Sequence, residues 1–234
     1  MSATQGFLVC ALSLCIASAT LAAPVDFEPA NPTAPNLVGT TGLLYTPSTL
    51  TEPSTELNVS LNATHDAPGI ELALNYGVLP HWEVGITRLG EKETVLNTKY
   101  CFQTETDTRI GIAAGVMDLT NQECTVGYAV ASKAFDPDIY FANNFHFNLG
   151  LAAGGKKYVD ARDPARIPGS LALNGIFTGL SFDIANSVTA LAEYDGRNFN
   201  FGFRDTFFKQ VTGTIGYLGA NKGLTGGLSY NVKL

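Results

Sequence analysis

Apolar and polar residues alternate from about residue 55 to the C-terminus, in one short segment after another. Leu57, Val59 and Leu61 are interleaved with Glu56, Asn58, Ser60 and Asn62, and Ile70, Leu72, Leu74 and Tyr76 with Glu71, Ala73 and Asn75. The pattern continues with Trp82, Val84 and Ile86 against Glu83, Gly85 and Thr87, then Leu96, Thr98, Tyr100 and Phe102 against Asn97 and Lys99. Further along, Val126, Tyr128 and Val130 stand against Thr125, Gly127 and Lys133, Phe145, Phe147 and Leu149 against Asn144, His146 and Asn148, and Ile215 and Tyr217 against Thr214 and Gly216. Side chains of a strand point alternately to its two faces, so this period predicts strands with one apolar and one polar or small face. The chain holds about twelve such segments, an even number as single-chain outer-membrane barrels have.

The clearest of these segments is the stretch Val188 to Arg204. Asp195-Gly196 predicts a two-residue type I′ hairpin turn, because both central residues of that turn need positive φ. Folding about it pairs Ala192 with Phe199, Ala190 with Phe201 and Val188 with Phe203 on one face, and Glu193 with Asn198, Leu191 with Asn200 and Thr189 with Gly202 on the other. The second face decides the environment. A water-exposed sheet face is rich in Lys and Glu, whereas these are Asn, Thr, Ser, Gly and Ala, and only 15% of the chain is charged. We therefore expect an all-β, antiparallel, up-and-down transmembrane β-barrel with its aromatic face toward lipid. Phe201→Arg should then be costly and Asn200→Arg, entering the lumen, cheap.

Loop lengths assign the ends. With the N-terminus of the barrel in the periplasm, the longest connection, Ala152 to Ser170, falls on the outside, and short turns at Gly77–His81, Phe135–Asp138 and Asp183–Ser187 fall on the other side. No apolar run long enough for a transmembrane helix occurs beyond the N-terminus. A net charge of −7 argues against a nucleic-acid partner.

Residues 1–23 read as a secretory signal peptide, with an apolar core from Gly6 to Ala17 followed by small residues to Ala23. Residues 24–37 read as a Pro-rich linker and 38–234 as a single barrel domain, in which Val38 to Ser48 is a strand-like piece tucked against or into the barrel. After removal of the signal, Cys101 and Cys124 remain, and an exported protein could hold them as two buried thiols or one disulfide. They are too few for a metal site, and no cofactor is expected.

Gly227-Leu228-Ser229-Tyr230-Asn231-Val232 is similar to the closing-strand signal read by the outer-membrane assembly machinery. The stretches Pro35-Asn36-Leu37-Val38-Gly39-Thr40-Thr41-Gly42-Leu43-Leu44-Tyr45-Thr46-Pro47-Ser48 and Leu191 to Arg204 resemble the YjbH-like family of bacterial outer-membrane β-barrel proteins. Trp82-Glu83-Val84-Gly85, Asn97-Thr98-Lys99-Tyr100 and Ala129 to Lys133 look similar as well. The resemblance implies a short, non-enzymatic barrel linked to exopolysaccharide production and envelope assembly.

The expected lumen-facing polar residues are Glu56, Glu71, Glu83, Lys99, Lys133, His146, Glu193 and Arg204, with Lys233 at the C-terminus. They could line a selective pore or fill the lumen with ion pairs. The narrow lumen and the balance of signs favour filling. Lys156, Lys157, Arg162 and Arg166 in the long loop could meet lipopolysaccharide phosphates or an acidic polysaccharide, although Asp160 and Asp163 dilute their charge. Glu193, Tyr194, Asp195, Gly196 and Arg197 form the hairpin motif. His146 invites comparison with barrel lipid hydrolases, but no motif places a serine beside it. The reading is a barrel in contact with outer-membrane lipid, with a structural or conduit role in envelope or exopolysaccharide assembly; a small-solute porin-like channel and a lipid hydrolase are the alternatives.

Overall fold

The structure is a computed structural model describing residues 34–64, 70–89, 93–120, 125–135, 140, 142–154, 173–184, 188–207, 210–219 and 223–234. Twelve antiparallel strands close into one barrel in simple chain order. They are β1 (Glu56–Thr64), β2 (Ile70–Leu79), β3 (Trp82–Leu89), β4 (Glu93–Gln103), β5 (Gly111–Met117), β6 (Val126–Phe135), β7 (Asn143–Gly154), β8 (Gly175–Asp183), β9 (Val188–Tyr194), β10 (Phe199–Phe207), β11 (Val211–Leu218) and β12 (Gly223–Lys233). β12 pairs with β1 from Glu56↔Lys233 to Thr64↔Thr225, which removes both sheet edges.

The alternation sorts the side chains as strand geometry requires. Leu61, Leu72, Ile86, Ile112, Leu149, Leu151, Ile176, Phe201, Phe203, Ile215 and Leu228 are all exposed on the outer wall. Soluble monomers seldom expose apolar patches above a few hundred Å², so a belt running round the whole barrel matches hydrocarbon, in which a closed ladder has the advantage of no open strand edge. Aromatic residues mark both ends of the belt. At the end where β1 starts and β12 finishes, Phe145 stacks between Phe135 and Phe182 with centroids 5.5 and 4.9 Å away, and at the opposite end Tyr194 meets Phe199 at 5.0 Å.

Three expectations change. The 188–204 hairpin pairs Tyr194 with Phe199, Asn200 with Glu193 and Phe201 with Ala192, two positions away from the register of a two-residue turn. Asp195 is the reason. Its Oδ1 accepts hydrogen bonds from Arg197 N and Asn198 N at 2.9 and 2.8 Å, widening the turn to residues 195–198, and only Gly196 takes positive φ (99°). A slip of two keeps every side chain on its face, where a slip of one would have inverted them.

On β6 the faces are opposite to expectation. Val126, Tyr128 and Val130 point inward and are buried, so Lys133 lies on the outer face at the rim, its Nζ donating to the carbonyls of Thr106 and Asp107 at 2.8 and 2.9 Å. The inward apolar face is required because the lumen contains something apolar to cover. That is residues 34–54, and it is the third change: Ala34 to Leu37, read as linker, already lie inside the barrel, and every residue from Ala34 to Thr49 is buried.

Cys101 is a buried free thiol near the end of β4, whereas Thr125, the neighbour of Cys124, lies at the other end of the barrel before β6. Residues 1–33 and the loop carrying Lys156, Lys157, Arg162 and Arg166 lie outside the described residues.

The outer belt yields a direct test. Phe201→Arg, near the middle of β10, should destabilise the membrane-embedded barrel by about 2–4 kcal/mol, the usual cost of a cation at the midplane of a barrel wall. Equilibrium unfolding from lipid vesicles measures it, and a change near zero would contradict a lipid-facing position.

Candidate functional site

The internal segment, the plug, is braced by its own hydrogen bonds as well as by the barrel. Asn36 is its centre: its Oδ1 accepts from Val38 N and Thr40 N, both at 3.1 Å, and its Nδ2 donates to the Tyr45 carbonyl at 2.9 Å. Leu37 N donates to Leu44 O (2.8 Å) and Leu43 N to Thr46 O (2.9 Å), which makes a compact double turn. Such a turn leaves backbone groups without internal partners, and in a dry lumen each must be satisfied by the wall.

Two walls do this in different ways. On the β5–β9 side, Met117, Val126, Tyr128, Val130, Phe177 and Leu191 form one buried cluster with Leu37, Val38, Leu43 and Leu44 of the plug. Glycines let the plug in. An added Cβ at Gly85 would lie 2.1 Å from the Gly39 carbonyl oxygen, and Gly39 itself holds φ +76°. Inward Gly202 and Gly216 similarly make room for Leu44.

The polar grips are two carboxylates and two cations. Glu193, on β9, accepts from Leu44 N (3.1 Å), Tyr45 N (2.8 Å), Thr46 N (3.0 Å) and Thr46 Oγ1 (2.8 Å), while Asn200 Nδ2 holds it from the side at 2.9 Å. Three consecutive amides converging on one anion form a nest. Arg204, on β10, donates to the carbonyls of Gly42 (3.1 Å) and Leu43 (2.9 Å), capping the same turn from the other direction.

Nearer the end where β1 starts, Glu83 accepts from Thr40 Oγ1 (2.5 Å), Thr41 N (3.0 Å) and Glu52 N (2.8 Å), and its charge is met by Lys99 Nζ at 3.1 Å. Lys99 also donates to the Thr41 carbonyl at 2.7 Å. Thr87 Oγ1 and Asn97 Nδ2 both donate to Val38 O, at 2.8 and 2.5 Å. Charge-assisted bonds to backbone are about twice as strong as neutral ones, so the plug is held wherever it contacts these four side chains.

The structure thus brings Glu83, Lys99, Glu193 and Arg204 onto one ligand, the chain's own segment. Glu71 is buried on the inner face of β2, and Glu56 stands opposite Lys233 at the rim. His146 faces inward, with Nε2 2.9 Å from Glu105 Oε2. In the hairpin motif, Tyr194 faces outward, Asp195 is wholly buried in the turn, and Arg197 is exposed. Asn200 is not in open water: it is fully buried between Glu193, Asp195 and Gly219 N, so Asn200→Arg would break the Glu193 grip. Sequence reasoning missed Asn36, Glu52 and Glu105. The available signal was the inward glycines, since Gly within a strand often marks a place where another backbone comes close.

No family model matches the chain, and no curated protein matches it. Among solved structures, the chain is similar to a KdgM porin in complex with disordered oligogalacturonate, at TM-score 0.52 and 7% identity, covering 76% of this chain and 99% of that one. A second KdgM porin structure matches at TM-score 0.50 and 8% identity, with the same coverage. This likeness is one of fold: a closed antiparallel barrel.

Glu52 supplies a pH dependence. It lies in the plug, outside the spanning strands, and burial, reinforced by the neighbouring Glu83 carboxylate and opposed by Lys99, pushes its pKa from 4.5 up to about 9. The seated plug therefore keeps the proton that the unfolded chain gives up. Its contribution is complete below pH 4.5 and is lost as pH rises toward about 9, with a slope of up to about 1.4 kcal/mol per pH unit. Thermal unfolding in detergent between pH 5 and 9 should show wild type losing stability relative to Glu52→Gln as pH rises; parallel curves would remove Glu52 as the cause.

Proposed function

We propose that this chain is a bacterial outer-membrane β-barrel, exported by its N-terminal segment, that serves as a porin-like conduit for small solutes and is held closed by its own residues 34–54. The observation that carries this reading is the plug: a compact double turn lying across the lumen and held by Glu83, Lys99, Glu193 and Arg204. A plug fixed by polar contacts, with apolar packing on one side, can shift without unfolding the wall, because the twelve-strand ladder closes independently of it.

The oligogalacturonate in the neighbouring porin complex does not carry over directly. Lys99 and Arg204, the inward cations of the spanning region among the described residues, are already engaged by Glu83 and by plug carbonyls. A non-enzymatic role fits His146, whose Nε2 is taken by Glu105, with no hydrogen bond to a serine among the described residues.

A second reading is the structural role in envelope or exopolysaccharide assembly that the resemblance to the YjbH-like family implies. It is favoured by the number of wall side chains committed to the plug, since Glu83, Lys99, Glu193 and Arg204 all bond it, which suits a permanently filled barrel.

Conductance separates the two. Asn36→Ala removes the three hydrogen bonds that shape the plug without altering any wall charge. In planar bilayers wild type should stay free of large single-channel steps and Asn36→Ala should show them. A folded Asn36→Ala barrel that remains silent would favour the structural role.

A further inference from the structure

The plug joins β1 through residues 50–55, and this connection is built as a pivot. Thr55 holds φ +67°, a conformation that a β-branched residue adopts only where its surroundings fix it. They do so from both sides: Thr55 N donates to Gly77 O, and Leu234 N donates to Thr55 O, each at 2.9 Å. Gly77 is needed there, since a Cβ at that position would collide with the Pro53 carbonyl. Pro53 and Thr55 are exposed, at the end of the barrel where β1 starts.

Immediately inboard of the pivot stands Glu52, with no exposed surface. Neither of its carboxyl oxygens has a hydrogen-bond partner among the described residues. Asn75 of β2 lies beside it with Nδ2 donating to Glu83 Oε2 at 3.3 Å, and Asn75 Oδ1 is likewise without a partner. Acceptors therefore lie together with no donor between them. An ionised carboxylate only accepts, whereas the protonated acid carries an O–H, so a proton on Glu52 supplies the donor that this pair lacks. The charged neighbours act in the same sense. Glu83 of β3 and Glu56 at the start of β1 repel a second negative charge, and Lys99 of β4 is already paired with Glu83 at 3.1 Å.

We propose that Glu52 is a proton latch: as the neutral acid it holds the plug seated, and loss of its proton releases residues 34–52 to turn about residues 53–55 toward the end where β1 starts, opening the lumen. This rests on the closed-conduit reading and supplies its trigger. One proton passes to solvent as each plug unseats, so opening is favoured as pH rises. At neutral pH the latch stays shut, because burial, reinforced by Glu83, holds the Glu52 pKa at about 9.

The test uses full-length protein in planar bilayers at pH 7 and pH 10, with folding of each variant checked at both by heat-modifiable gel migration. Wild type should be silent at pH 7 and show large steps at pH 10 that vanish when pH 7 is restored. Glu52→Gln keeps the backbone amide that donates to Glu83 and offers Asn75 a permanent N–H, so its open probability at pH 10 should be at least tenfold below that of wild type. Asn36→Ala should conduct at both. A second readout does not depend on conductance: the infrared difference between wild type and Glu52→Gln at pH 7 should contain a carboxylic-acid carbonyl band that is lost at pH 10. No such band at pH 7, or Glu52→Gln opening with the pH dependence of wild type, would overturn the latch. A wild type silent at pH 10 beside a conducting Asn36→Ala would reject the latch and leave the closed conduit standing, whereas silence of all three at both pH values would reject the conduit and its latch together.

Discussion

The arrangement depends on one buried carboxylate. Glu193 takes the amides of Leu44, Tyr45 and Thr46 at 3.1, 2.8 and 3.0 Å, and without that anion three backbone donors would be left in a dry lumen. A lone carboxylate so deep in a protein would be strongly disfavoured. Here the plug's turn is its solvent: the anion makes the turn possible and the turn makes the anion tolerable. Arg204 completes the exchange by meeting the carbonyls on the other side of the same turn.

Glu83 repeats the logic with a cation of its own. Breaking a buried ion pair by removing one partner typically costs about 3–5 kcal/mol, and beyond their own pairing Glu83 and Lys99 each bond the plug backbone. The wall charges are therefore better described as plug ligands than as a pore lining.

Much of the fold was legible in the sequence because strand alternation is a local property. The twelve strands, their antiparallel order and most of their faces follow from period two, and the inward placement of Glu83, Lys99, Glu193 and Arg204 follows with them. The failures have physical causes. β6 carries apolar residues on one face and mostly Gly and Ala on the other, so lipid and plug compete for the same side, and the plug takes it. The hairpin register turned on Asp195, whose side chain bonds the turn more strongly than the type I′ preference of Asp-Gly could resist. The plug grips join residues as far apart in sequence as Thr46 and Glu193, and no local pattern announces a contact of that separation.

Amide hydrogen exchange at Leu44, Tyr45 and Thr46 in membrane-embedded protein tests the central claim most directly. If Glu193 holds these three amides, they should exchange as slowly as amides of the neighbouring β9 and β10 ladder in wild type, and at least tenfold faster in Glu193→Gln while the ladder itself is unchanged. Exchange in wild type at the rate of an unstructured peptide would contradict a plug seated on Glu193.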